Sequence, residues 1–166
     1  MSIRQVEDTL VALLKDGSLG LAVTVERLAA QVLSPDDADL IRSDFDFNRW
    51  TLPGSAVRPA TRANVMTRPR RWQPSVVFNG TREAVCWIDV GFESFKPDQR
   101  AQELQISITA TALAAVMDQA AAFSDATHGT IIRVQNPIQY TFGYFESPTS
   151  AGFIATVAID EVSYTE

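Results

Sequence analysis

Between Leu104 and Phe123 the chain carries one formal charge, Asp118, and neither glycine nor proline. Alanine, the strongest helix former, recurs throughout it. The stretch therefore reads as the body of a long helix from about Arg100 to Phe123. A strand rich in β-branched and aromatic residues, Ala84–Phe92, precedes it. A turn over Ser94–Gln99, marked by Pro97-Asp98, joins the two. Two apolar rows run along the helix: Leu104, Ile108, Ala112, Val116 and Ala120, and Ile106, Ala110, Leu113, Met117 and Ala121. A surface helix normally keeps a charged outer face, and one this apolar needs cover on several sides. The N-terminal helix and a sheet each supply one cover, and a neighbouring subunit would supply a third. The alternative is that Ser107, Thr109, Thr111 and Gln119 form a sufficient wet face.

Few other elements are available for that cover. A chain of 166 residues is most simply one domain and buries a full core without staples. Its single cysteine, Cys86, excludes an internal disulfide framework and a cysteine-based zinc site. No basic start followed by an apolar run marks a secretory signal, and polar residues interrupt the Ala-rich helix, so no membrane span is expected.

The net charge of −6 is unevenly distributed. Seven arginines and no acid fall between Arg49 and Arg82, leaving −13 on the rest of the chain. Such asymmetry suggests a segment that meets a different partner from the remainder.

Taken in order, Ser2–Asp16 reads as an amphipathic helix with Ile3, Val6, Leu10, Leu13 and Leu14 on one face. Ser2 and Gln5 fit a capping box, and Gly17 sits where a C-cap glycine belongs. Leu19–Val25 fits a short strand, but Thr24 fits equally as the cap of a helix through Leu33. Ser34-Pro35-Asp36-Asp37 is a helix start, with Ser34 the cap and the helix ending near Ser43. Thr51–Arg71, with its prolines and arginines, reads as a long loop within an arm spanning residues 49–74. Ser75–Phe78, Asn79-Gly80 and Glu83–Phe92 read as a hairpin. After the long helix, strands are expected at Ile131–Val134, Gln139–Phe145 and Phe153–Tyr164. The sum is α+β: a mainly antiparallel sheet, an N-terminal helix and one long central helix packed on it, and a long irregular Arg-rich loop.

No residues form a catalytic signature. His128 is a lone histidine beside Gly129, read as a surface loop residue. Cys86 is read as a small buried hydrophobe. Asp36, Asp37, Asp39, Asp44 and Asp46 lack the glycine and terminal glutamate of a calcium loop, and helix capping accounts for most of them. Gly17-Ser18-Leu19-Gly20 lacks the lysine of a phosphate loop. No cofactor or metal is expected.

The helix Ile3–Leu14, the strand Ala84–Phe92 leading through Pro97-Asp98 into Leu104–Phe123, and the closing strand Gly152–Ile159 resemble in layout the small α+β proteins at the head-proximal end of phage tails. These are the tail terminator and tail-completion family and related neck proteins. The resemblance covers roughly residues 1–20 and 75–166 and has no invariant motif. It implies a non-enzymatic virion protein, assembled in the host cytoplasm, that forms a ring, commonly a hexamer. Such a ring ends tail-tube growth or joins tail to head. Its partners would be the tail-tube or head-connector protein, DNA would pass through without sequence-specific binding, and no membrane is involved. The Arg-rich middle is longer and more basic than that layout requires.

The subunit contacts expected on this reading are Arg58, Arg62, Arg68, Arg70 and Arg71 in the arm, and Ala112, Val116 and Ala120 on the long helix. The arginines have three readings: contact with the acidic body of a neighbour, DNA phosphate binding with Trp50 and Trp72 flanking, or a solvated loop. Trp50 and Trp72 are read as anchors for the loop ends. The rival functions are a nucleic-acid-binding module using Arg49–Arg82 and a small enzyme or ligand-binding domain.

Overall fold

A computed structural model describes residues 3–41, 45–49, 63–75, 81–119, 133–134, 142–146 and 150–165. Helix α1 (Ile3–Lys15) forms as the apolar period dictates, with Val6, Leu10, Leu13 and Leu14 buried. Its end differs from the expected glycine cap. Gly17 is exposed and has no left-handed backbone. Instead the Asp16 carboxylate accepts from the backbone N–H groups of Ser18 (3.0 Å) and Leu19 (2.8 Å) and from the Ser18 hydroxyl (2.9 Å). Those bonds hold its pKa below the ordinary carboxylate value.

The glycine this turn requires is Gly20. A Cβ there would lie 2.1 Å from the Asp16 carbonyl oxygen. Gly20→Ala is expected to cost about 2–3 kcal/mol, and Gly17→Ala to be neutral or to gain about 0.5 kcal/mol by restricting the unfolded chain. Urea midpoints of the two variants check the contrast.

Helix α2 (Leu21–Val32) resolves the strand-or-helix alternative over Leu19–Val25. Leu21, Thr24, Val25 and Ala29 are its buried stripe. Thr24 is not the cap: it lies within the helix and its hydroxyl donates to the Gly20 carbonyl at 2.7 Å. Helix α3 (Pro35–Leu40) begins as read, with the Ser34 hydroxyl accepting from the Asp37 N–H at 3.2 Å, and ends at Leu40.

Three strands then open the sheet. Strand β1 (Phe45–Arg49) runs parallel to β2 (Ala63–Ser75), and β2 pairs antiparallel with β3 (Thr81–Ser94). The expected loop over Thr51–Arg71 is thus corrected. Ala63–Arg71 is strand, and residues 51–62 lie outside those described. The hairpin is correct in sense, but its first strand begins at Ala63 rather than Ser75, and the Asn79-Gly80 turn lies outside the described residues.

The prolines that suggest a loop are tolerated because β1 pairs with β2 only as far as Thr67. Pro69 and Pro74 fall beyond it, where β3 is the one described neighbour of β2, and a strand with an open edge admits proline. The β2–β3 register shifts between Pro69 and Arg71, skipping Arg70. That bulge reverses the alternation of the strand. Arg68, opposite Asp89, and Arg71, opposite Trp87, therefore share one face of the sheet.

Helix α4 (Gln99–Asp118) follows, capped by the Asp98 carboxylate accepting from the Ala101 N–H at 3.2 Å. A buried bond of 2.5 Å from the Ser94 hydroxyl to Gln105 Oε1 pins its first turns to the end of β3. Strands β4 (Arg133–Val134) and β5 (Phe142–Glu146) both pair with β6 (Ala151–Thr165), which lies antiparallel to β3. The sheet order is β1-β2-β3-β6-β4, with β5 also on β6. The fold is α+β, with a mainly antiparallel sheet, N-terminal helices and one long helix.

One face of the sheet, Cys86, Ile88, Val90 and Phe92 with Phe153, Ala155, Val157 and Ile159, joins the helices in a single hydrophobic cluster. Phe92 and Phe153 pack with ring centroids 5.5 Å apart. Helix α4 lies between the sheet and α2. Its exposed strip is Glu103, Ser107, Thr111 and Asp118. Ser107 and Thr111 thus serve as wet-face residues, while Thr109 is buried. The further cover sought for this helix comes from α2 of the same chain.

Candidate functional site

The other face of the sheet gathers the charged groups. Asp89 points there from the middle of β3, between Ile88 and Val90 of the core, and is fully buried. A buried carboxylate requires partners that compensate its lost hydration. Arg68 Nε donates to Asp89 Oδ2 at 2.8 Å, and Arg70 Nη1 lies 3.5 Å from Oδ1. The Thr156 hydroxyl, directly opposite on β6, donates to Oδ1 at 2.7 Å and receives a 3.4 Å bond from Arg70. Next along the strand, the Arg71 guanidinium sits 4.8 Å from the centre of the Trp87 ring, within cation–π range.

Three arginines and one carboxylate leave these four side chains with a surplus of two positive charges. The carboxylate is sealed beneath them, while 42% of the Arg68 side chain and 59% of Arg70 remain open to water. Arg68 and Arg70 thus present part of their guanidinium-bearing side chains to water, beside the Arg71–Trp87 pair.

This arrangement redistributes the expected contact residues. Arg68, Arg70 and Arg71 come together, but on a strand and engaged with their own chain rather than on an arm. Arg58, Arg62 and Ala120 lie outside the described residues. Ala112 and Val116 are corrected: both are completely buried against the chain's own core, out of reach of a neighbour. Trp72 lies on β2, in register with Cys86; Trp50 and His128 lie outside the described residues.

The residues missed are Asp89, Trp87 and Thr156. The signal for Asp89 was available: a single acid inside an apolar strand needs a cation nearby, and the preceding strand is rich in arginine.

Two other polar sites flank this one. Glu93, also buried, accepts from the Ser150 hydroxyl at 2.9 Å. Beside it in register, Asn64 accepts from Asn48 Nδ2 at 2.6 Å, while its own Nδ2 has no partner. On the helix side, a cavity of about 180 Å³ opens between α1 and the β1–β2 edge, lined by Arg4, Glu7, Asp8, Phe47 and Thr67 among others. The Thr67 hydroxyl donates to Glu7 Oε1 across it at 3.1 Å. Among the described residues no three His, Cys, Asp or Glu side chains form a metal-binding group, and no helix is long and apolar enough to cross a membrane.

Cys86 is fully buried, and burial pushes its thiol up to about 11. A thiol kept protonated and covered is a poor nucleophile. A disulfide reagent such as DTNB is expected to leave the folded chain unmodified and to titrate the single cysteine on denaturation; rapid labelling of folded protein would contradict the packing.

No known protein-family model matches the sequence, and no curated protein matches it.

Proposed function

We propose that this chain is a structural, non-enzymatic subunit of a homo-oligomeric ring, six copies in all, at the head-proximal end of a phage tail. There it would end tail-tube growth or join tail to head, with DNA passing through its centre. The order of elements supports this reading: an N-terminal helix, a long antiparallel hairpin, an Ala-rich helix and a closing strand.

The observation that carries it is a mismatch of lengths. Strands β2, β3 and β6 have 13, 14 and 15 residues. At about 3.3 Å per residue they run some 45 Å. Helix α4 has 20 residues, about 30 Å at 1.5 Å each. It is tied to the Ser94 end of β3, so it reaches back no further than about Val85. The paired ends of β2, β3 and β6 beyond that point outrun the helix. A ribbon longer than its own cover suits a subunit whose packing is completed by neighbours.

Light scattering of the full chain over a range of concentrations tests the reading. The expected result is a species near six times the 18.2 kDa chain mass. A monomer at every concentration, alone and with the tail-tube protein, would refute self-assembly. Steeply salt-dependent binding to DNA by a monomer would favour the nucleic-acid module instead.

A further inference from the structure

We infer that successive copies dock head to tail, the α2–α3 corner of one copy against the arginine face of β2–β3 on the next. This rests on the ring reading and names the surfaces that would build it.

The corner is where the described residues expose large aliphatic side chains: Val32, at the end of α2, is 63% exposed and Leu40, at the end of α3, 41%. Between them in the chain lie Asp36, Asp37 and Asp39. Asp37 is turned inward to Arg100 of α4 at 2.8 Å, and Asp36 is exposed. The corner thus exposes two aliphatic side chains, with the acids on the stretch of chain between them. The β2–β3 surface is its complement, with the Trp87 ring bordered by Arg70 and Arg71. Trp and Arg are the residue types enriched where interfaces hold most strongly.

Position and sign together choose the mode of association. The Asp37–Arg100 pair ties α3 to the helix layer, whereas the arginines stand on the opposite face of the sheet. A two-fold contact would need both patches within one interface, which patches on opposite faces of the chain do not allow. Opposite patches on opposite faces instead favour a heterologous contact, which closes into a ring when the rotation permits. Strand addition along β2 is a poor alternative, because Pro69, the bulge and Pro74 interrupt the backbone edge it would use.

The test is a charge exchange in the full chain. Arg70→Glu alone and Asp36→Lys alone are each expected to weaken assembly roughly ten-fold or more, since each sets like charges against one another. Mixed in equal amounts, the two variants are expected to recover assembly, because alternating copies restore opposite charges at every contact of an even-membered ring. Val32→Ser with Leu40→Ser tests the corner without altering charge or core, and is expected to give a folded chain with the same loss. Circular dichroism melts confirm that the variants fold. Variants that assemble like the parent chain, or single variants that lose assembly without recovery on mixing, overturn the docking mode while the ring stands. A parent chain that never assembles overturns the ring reading and the docking with it.

Discussion

Val116→Asp will cost the chain more than about 4 kcal/mol, whereas Thr111→Asp on the same helix will leave stability within about 0.5 kcal/mol. The two positions differ only in what surrounds them. Val116 is fully buried within the cluster that joins α4 to the sheet and to α1 and α2. A carboxylate there would lose its hydration and gain no cation, a cost above about 4 kcal/mol against a typical domain stability of about 5–15 kcal/mol. Thr111 faces water, its hydroxyl bonded back to the Ser107 carbonyl at 3.1 Å. Val116→Ala, which only removes two methyl groups and leaves a small void, should cost about 2–3 kcal/mol. Urea unfolding followed by circular dichroism measures all three. The outcome also discriminates between kinds of packing. Were Val116 at a subunit contact, its aspartate variant would be a stable monomer that fails only to associate.

That contrast explains how far the long helix could be read from sequence. Its existence and start followed from the Pro97-Asp98 turn and from twenty residues without glycine or proline, while its Asp98 cap did not. Nor did its surroundings. The missing charges point to a neighbouring subunit only until α2 is counted as a cover. Leu21, Val23 and Val25 alternate as a strand does, while Leu21, Thr24, Val25 and Ala29 recur as a helix does, and only packing against α4 decides between them. Helix α1 was legible from its apolar period and α3 from its Ser34-Pro35 start.

Strand β2 was hidden by its prolines: beyond Thr67 its β1 side has no described neighbour, and a strand with one open edge admits Pro69 and Pro74, which disguise it as a loop. The candidate site was half legible for the same reason. The sequence marks the arginines but not the bulge that turns Arg68 and Arg71 to one face. Nor can spacing along the chain indicate that Arg68 meets Asp89, since the register depends on that bulge.

Removing Arg68 and Arg70 together (Arg68→Ala, Arg70→Ala) will cost about 3 kcal/mol, while Asp89→Asn will cost only about 1 kcal/mol. The asymmetry follows from burial. Asp89 is sealed, so loss of both cations strands a charge with the Thr156 hydroxyl left beside it. The arginines are about half open, so when the carboxylate goes they recover water. Arg68 should matter more than Arg70 in the single variants, because it approaches to 2.8 Å rather than 3.5 Å. Either one partly covers for the other, so the double variant should exceed the sum of the singles, a coupling that a double-mutant cycle in urea measures directly. Adding Asp89→Leu to the double variant should then return most of the lost stability, because an apolar side chain at a buried position no longer requires a cation. Such recovery would assign the Arg68–Asp89 pair a positioning role. The carboxylate would hold cations on a face that an apolar residue could stabilise equally well but could not charge.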